Sequence, residues 1–203
     1  MSENAVTPRV PIRRKVSFLT EERAVAAVEM ALIAPVALIM LFLIVAAGQT
    51  LMIYHKVVLA AHTVTDLVSR TPYVADPNTQ GGELVPQSTV QNDLALAQMV
   101  LYPWDPSNLT ASVSELSVNS SNNVGTVVWS EPYPSTASAP KTGSTVSLDP
   151  NYTASGAPYL LSGQVTYTFQ PLGGVLSLPP ITLTASEILI IRNATQITEE
   201  VGS

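Results

Sequence analysis

From Met30 to Ala47 the chain has no polar side chain, and its helical character continues to Tyr54 through three mild interruptions, Gly48, Gln49 and Thr50. At ~1.5 Å of rise per residue, the stretch from Met30 to Tyr54 makes ~37 Å of helix. That is enough to cross ~30 Å of hydrocarbon with some tilt. The other way to hide such a run, as a buried helix of a soluble core, normally uses a shorter helix with a polar stripe. The run therefore predicts a transmembrane helix, and every other segment must be arranged around it. At its start stands Glu29, the only formal charge between residues 24 and 54. A charge inside a membrane-length helix is costly and marks a functional position whose partner has to be sought.

The flanks set an orientation. Five Lys/Arg (Arg9, Arg13, Arg14, Lys15, Arg23) precede the span, and only Lys56 follows it closely. The positive-inside rule places the N-terminus in the cytoplasm and the C-terminal part on the far side. Tyr54 and Lys56 stand where an interfacial aromatic and a snorkelling cation belong. Val45-Ala46-Ala47 has the small residues of a signal-peptide cleavage site, but the apolar run exceeds the ~7–15 residues of a signal h-region. The helical spacing also continues beyond it, through Ile53, Val57, Ala60, Ala61, Val64, Leu67 and Val68. Thr71-Pro72 then stops the helix, because proline disfavours helical geometry in the residue before it. Pro35 lies within the span; it removes one intrahelical hydrogen bond and is expected to kink or loosen the helix, or to be simply tolerated there. Gly48, beside Ala46 and Ala47, offers a small-residue surface to another helix.

The exported part is acidic: beyond residue 57 three Lys/Arg face eleven Asp/Glu. That argues against nucleic acid as a partner, which needs clustered cations. The absence of cysteine excludes disulfides, thiol catalysis and cysteine-ligated metals. His55 and His62 share a helix face but have no carboxylate cluster beside them, so a solvated or interfacial role is expected. After a loop over Asp76–Gly82, a second helix is predicted from Gln87 to Leu101. Its buried face is Val90, Leu94, Ala97 and Leu101, with Ser88 as a cap and Pro103 beyond its end.

The remainder reads as antiparallel sheet. Leu109, Ala111 and Val113 alternate, and the phase shifts before Leu116 and Val118, which suggests a bulge. Asn122-Asn123 turns into a strand over Val124–Ser130. Residues 131–157 read as a long surface loop. Strands over Tyr159–Phe169 and Ile181–Arg192, the latter with a bulge near Glu187, close the chain. No nucleophile–His–acid set, phosphate-binding glycine loop or clustered metal ligands appear, and Asp76, Asp93, Asp105 and Asp149 are scattered beside loops. No catalytic residue and no cofactor are expected. Trp104 and Trp129 are expected in the core. The fold class is α+β, a long N-terminal transmembrane helix followed by a small antiparallel-sheet head that must bury the outer half of that helix.

A basic leader, a small-residue junction and an apolar helix with Glu at its fifth position form the layout of a type IV prepilin. The wording Ala-Ala-Val-Glu29-Met-Ala-Leu-Ile-Ala-Pro35 resembles the TadE-like family, the minor pilins or pseudopilins of the tight-adherence (Tad/Flp) pilus system. Ala61-His-Thr-Val-Thr-Asp-Leu-Val68, Leu101-Tyr-Pro-Trp104, Val127-Val-Trp-Ser130 and Val165-Thr-Tyr-Thr-Phe-Gln-Pro171 are similar to stretches of alphaproteobacterial members. The strong part of the likeness covers roughly residues 18–68.

The resemblance implies cleavage by a prepilin peptidase at Ala24–Val25, although the family usually has Gly where this chain has Ala24 and commonly an aromatic where it has Met30. Cleavage would free an α-amine at Val25, which in an assembled stack can pair with Glu29 of a neighbouring subunit and fix axial register. The alternative is a carboxylate that reaches the interface, with Arg23 as its counter-ion. On this reading residues 1–24 are a cytoplasmic leader, 25–71 the transmembrane and spine helix, and 72–203 a periplasmic head. The implied partners are the bacterial inner membrane, other Tad pilus subunits with their assembly platform, and the peptidase. The competing function is an uncleaved, membrane-anchored periplasmic binding or adhesion domain.

Overall fold

The structure, a computed structural model, describes residues 22–70, 74–75, 82–174, 178–192 and 196–200. Residues 1–21 of the basic leader, the Thr71-Pro72 stop and most of the Asp76–Gly82 loop lie outside the described residues, and Glu22 to Ala24 of the leader are already helical. Helix α1 runs Glu22–Arg70. The chain divides into two compact units, Met1–Val45 and Ala46–Ser203.

In the first unit, the helix from Val25 to Leu41 is exposed at every position. Its side chains are Val, Ala, Ile, Leu and Met apart from Glu29 and Pro35. An apolar surface on all sides has no stable place in water and calls for lipid or other helices. This stretch belongs to the helix that is long and apolar enough to cross a membrane.

The second unit is the α+β head together with the part of α1 that it covers. Strands β1 (Val74–Ala75) and β2 (Gly82–Pro86) are followed by α2 (Gln87–Leu101), β3 (Leu109–Asn119), β4 (Val124–Tyr133), β5 (Thr145–Ser147), the short α3 (Pro150–Ala154), β6 (Tyr159–Phe169), β7 (Ile181–Ile190) and β8 (Gln196–Glu200). The main sheet has the order β5-β4-β3-β6-β7, antiparallel throughout. A second, three-stranded sheet has the order β1-β2-β8, with β2 and β8 parallel from Gly82↔Gln196 to Pro86↔Glu200.

The core lies between α1, α2 and one face of the main sheet. Ile53, Val57, Ala60, Ala61, Val64 and Val68 of α1 meet Val90, Leu94, Ala97 and Leu101 of α2, and Ala111, Val113, Leu161 and Val165 of the sheet. The expected faces of both helices are thus buried, with Leu67 only half-buried. Complete burial of a Leu such as Leu94 contributes about 1.5–3 kcal/mol. Trp129 is in the same core and Trp104 packs partly buried against it.

The phase change along β3 has a double origin. The β3–β4 register shifts between Glu115 and Leu116 because β4 carries one extra residue, Val128, whereas the β3–β6 register runs on unbroken. Leu116 therefore sits on the opposite sheet face from Val113, where it forms a smaller apolar cluster with Val127, Leu148 and Leu160. Both faces of one strand are apolar at that end, so the alternation fails there for a packing reason as well as a bulge. Asn123 makes the expected turn with a positive φ of 54°, a conformation that Asn tolerates better than most residues.

Several expectations need correction. Pro86, not Ser88, is the N-cap of α2, and it supplies no side-chain hydrogen bond; Ser88 is already inside the helix. Residues 131–157 are not one loop: β4 continues to Tyr133, and β5 and α3 follow. In β5, Thr145 to Ser147 complete an edge of the sheet against β4. Asp149 caps α3 by accepting from the Asn151 N–H at 2.8 Å, and Pro150 starts that helix. No bulge occurs at Glu187; β6 and β7 pair in one register from Phe169↔Ile181 to Leu160↔Ile190. The strand ends at Ile190 rather than Arg192. Asp93 lies within α2 rather than beside a loop.

Candidate functional site

For a helix with no catalytic set, the candidate site is the helix surface around Glu29. Ala24 and Val25 are in the first turns of α1 and already helical. Val25 and Glu29 are four residues apart, which at ~100° per residue puts them ~40° apart on one face, one turn above the other. Pro35 falls ~120° round from Glu29 on the same geometry. Glu29 is exposed, as are Val25, Val28 and Met30 around it. The helix assignment continues through Pro35; having no N–H, Pro35 leaves the carbonyl of Ala31 without its usual helical donor. The sequence-predicted positions thus separate into one face with Val25 and Glu29 and another with Pro35.

The head contains polar groups of a different kind, each fixing one element to another. Glu115 is fully buried on β3. Its Oε1 accepts from the main-chain N–H of Ile197 at 2.7 Å. Across the β3–β4 pair, the Trp129 indole N–H donates to the Ile197 carbonyl, also at 2.7 Å. Both main-chain groups of one β8 residue are therefore held by side chains from the main sheet, which ties the C-terminal strand to it. Oε2 of Glu115 has no hydrogen-bond partner among the described residues. Burial drives its pKa up to about 7, against the smaller opposing effects of the Ile197 N–H and Trp129. The carboxyl is therefore neutral over much of the acid-to-neutral range.

A second buried carboxylate, Glu131 on β4, accepts from the side-chain amides of Gln87, at 2.9 Å, and Gln91. This pins α2 to the sheet. Lys56 directs its amine to the Val100 carbonyl, at 3.1 Å, and to that of Tyr102. It also lies 5.3 Å from the centre of the Trp104 ring. A cation here satisfies open carbonyls at the C-terminus of α2 and complements its dipole. Its place in the sequence predicts snorkelling toward the membrane surface; the amine is instead committed to the head.

Close approach of α1 to the sheet depends on Gly163. A Cβ at that position would come within 1.8 Å of the Thr65 hydroxyl oxygen. Thr65 is buried and satisfies its hydroxyl on the Ala61 carbonyl at 2.7 Å. At the exposed margin, His62 lies 3.6 Å from Glu187, and Asp66 meets Arg70 at 2.9 Å and Arg192 at 3.6 Å.

Sequence reading missed Glu115, Glu131, Lys56 and Gly163 as structural determinants. Two carried a usable signal. Glu115 has the same strand parity as Leu109, Ala111 and Val113, and Gly163 stands between Leu161 and Val165 on the inward parity of β6. A glycine or a carboxylate in an inward slot predicts a close approach or a buried polar contact. No comparable local signal marks Lys56.

Residues 24–66 match the family model described as TadE-like protein. No curated protein and no solved structure gives a significant match to the chain.

Proposed function

We propose, from the match of residues 24–66 to the TadE-like family model, that the protein is a non-enzymatic minor pilin or pseudopilin supporting assembly of a Tad-type (type IVb) pilus. It is anchored in the bacterial inner membrane by a single pass, with its N-terminus cytoplasmic and its head periplasmic. The reading is carried by one coincidence: the family match covers the sole charge of the apolar stretch 24–54, and that charge, Glu29, is exposed on a helix surface offered to lipid or to other subunits.

A prepilin peptidase cuts Ala24–Val25 on this reading. The new Val25 α-amine and the Glu29 carboxylate of a neighbouring subunit then neutralise each other in a medium where each alone is unfavourable. The pair fixes the axial register of one helix on the next. Pro35 loosens the helix for packing against its neighbours. Glu29→Ala is expected to leave membrane insertion intact and to impair assembly, read by fractionation and by pilus counts; normal piliation in that variant would remove Glu29 from the mechanism. The processing step is tested by intact mass and N-terminal sequence of protein extracted from membranes with and without the peptidase. A peptidase-dependent start at Val25 supports the proposal. An unchanged N-terminus in both strains leaves an uncleaved, membrane-anchored binding or adhesion domain.

A further inference from the structure

We infer that the head rests on the outer surface of the bilayer through an apolar rim around the base of its own helix, with the lipid headgroup layer as the partner. The inference rests on the membrane-anchored reading above. Gln49 and Thr50 are the first hydrogen-bonding side chains after the apolar run that starts at Met30, so they mark where hydrocarbon gives way to the interface. Within the head unit, two separate segments meet the helix close to this mark. The turn over Pro171–Gly174 does so through the Leu172 N–H, which donates to Gln49 Oε1 at 3.2 Å. The C-terminus of α2 does so through Lys56, ~10 Å further along the helix.

The α2 end carries side chains that a water-exposed surface would not favour. Met99 is 73% exposed and Tyr102 77% exposed. With Gln98, Trp104 and Pro106 they line an open groove of about 450 Å³. On the helix, Met52 and Tyr54, four and two residues before Lys56, are exposed as well. Two tyrosines, a tryptophan and two methionines are therefore open to the surroundings on the helix just beyond the apolar run and on the α2 end bound to it. Amphipathic aromatics of this kind partition to the headgroup layer, with rings toward the acyl chains and polar edges toward water.

Charge limits the depth. Lys56 is held by α2 carbonyls and so brings no free cation to attract anionic lipid. Asp105 is exposed beside Trp104, where the Ser107 N–H and hydroxyl stabilise its carboxylate. A carboxylate at the rim fits a zwitterionic headgroup layer and opposes deeper burial. Continuity with the membrane helix selects lipid as the occupant: the groove is attached to the chain at the height of the bilayer surface.

The test uses full-length protein in phosphatidylcholine vesicles containing bromine-labelled phosphatidylcholine, read by tryptophan emission. Trp104 and Trp129 are the two tryptophans of the chain. Bromolipid is expected to quench the wild-type protein, and Trp104→Phe, which retains only the buried Trp129, is expected to lose that quenching. Trp104 quenched by aqueous iodide but not by bromolipid would place the groove in water and overturn the inference. Protection from both quenchers would also overturn it, in favour of a protein neighbour. Leu38→Trp in the Trp104→Phe background isolates the underlying reading. Quenching at residue 38 without quenching at Trp104 rejects the rim alone, whereas no quenching at either rejects the membrane anchor.

Discussion

Two stretches of α1, Val25–Leu41 and Ile53–Val68, hold Val, Ala, Leu or Ile at 13 of 17 and 9 of 16 positions, and the polar residues that break up the second let it solve the problem of apolar surface differently. The first exposes every side chain; the second buries Ile53, Val57, Ala60, Ala61, Val64 and Val68 and leaves Tyr54, His55, Val58 and Leu59 outside. The difference teaches that hydrophobicity sets how strongly a helix must be covered, whereas its period decides what covers it. A surface apolar on all sides suits a surrounding medium. A stripe at three- and four-residue spacing suits one packed layer. A buried glycine and a string of alanines then decide how close that layer comes.

The comparison is broken most forcefully by equal truncations in the two environments. Leu94→Ala removes a fully buried side chain of α2 that packs in the same core as the outer half of α1. Its expected loss of head stability is about 2–5 kcal/mol, from lost transfer energy and the cavity left behind. Leu38→Ala, on the exposed stretch, is expected to leave head unfolding unchanged. Denaturant unfolding of the full chain in detergent, followed by Trp129 emission, measures both. Equal effects would show that the exposed stretch and the core covering the outer half of α1 are not energetically distinct.

Glu115 gives the next largest effect and a sign that can be checked. Its carboxyl is held at about 7 in the folded head, above the ordinary value of 4.5. Between these values the folded state retains a proton that the unfolded state has lost, so stability falls as pH rises. The contribution is complete below about 4.5 and is lost as pH climbs through 7. At ~1.4 kcal/mol per pH unit the span reaches roughly 3 kcal/mol. Glu115→Gln keeps an oxygen for the Ile197 N–H and cannot ionise, so its unfolding midpoint is expected to lose this slope. A slope unchanged in the variant would assign it to another group.

The same residues show how far the sequence could be read. Both ends of α2 and of β6 were legible, because each is one uninterrupted period between strong turn signals. The 145–154 region was not, since Ser/Thr/Pro-rich composition hides a short edge strand and a single helical turn. β1, β2 and β8 were also hidden: β2 pairs with a strand more than a hundred residues later, and a short strand without its partner has no distinctive pattern. At the candidate site, Glu29 stands out in the sequence because a charge in an apolar run of membrane length is costly, and its role rests on the proposal above. Glu131 was not, because its cost is cancelled by two glutamines whose proximity depends on the fold.

Gly163 tests the close approach itself. Gly163→Ala places a methyl carbon against the Thr65 hydroxyl oxygen, with the Ala61 carbonyl oxygen 3.5 Å away. Since that hydroxyl is bound to its own helix, yielding requires a rotamer change or a shift of α1. Overpacking of this kind costs about 1–3 kcal/mol. Thr65→Ala in the same chain is expected to recover most of the loss, and a double-mutant cycle by thermal unfolding reads the coupling. Independent, additive effects would mean that α1 does not sit against β6 as closely as this.

Lys56 makes the smallest of these contributions and the sharpest distinction between the two stretches, because it is a charge that α1 brings to the head rather than to the membrane. Lys56→Met keeps much of the apolar stem of the side chain while deleting the ammonium that α2 carbonyls accept from. The loss combines a hydrogen bond to a charged donor, the complement to the helix dipole and contact with the Trp104 ring, and is expected to total about 1–2 kcal/mol. Salt dependence identifies the origin. A free interfacial lysine would be screened, so its removal would lose effect as ionic strength rises. A half-buried amine bound to carbonyls is screened little, and the difference between the wild-type and Lys56→Met proteins is expected to persist from low to high salt. A difference that vanishes in salt would show an amine free in solvent rather than bound to the end of α2, and would remove Lys56 as a tie between α1 and the head.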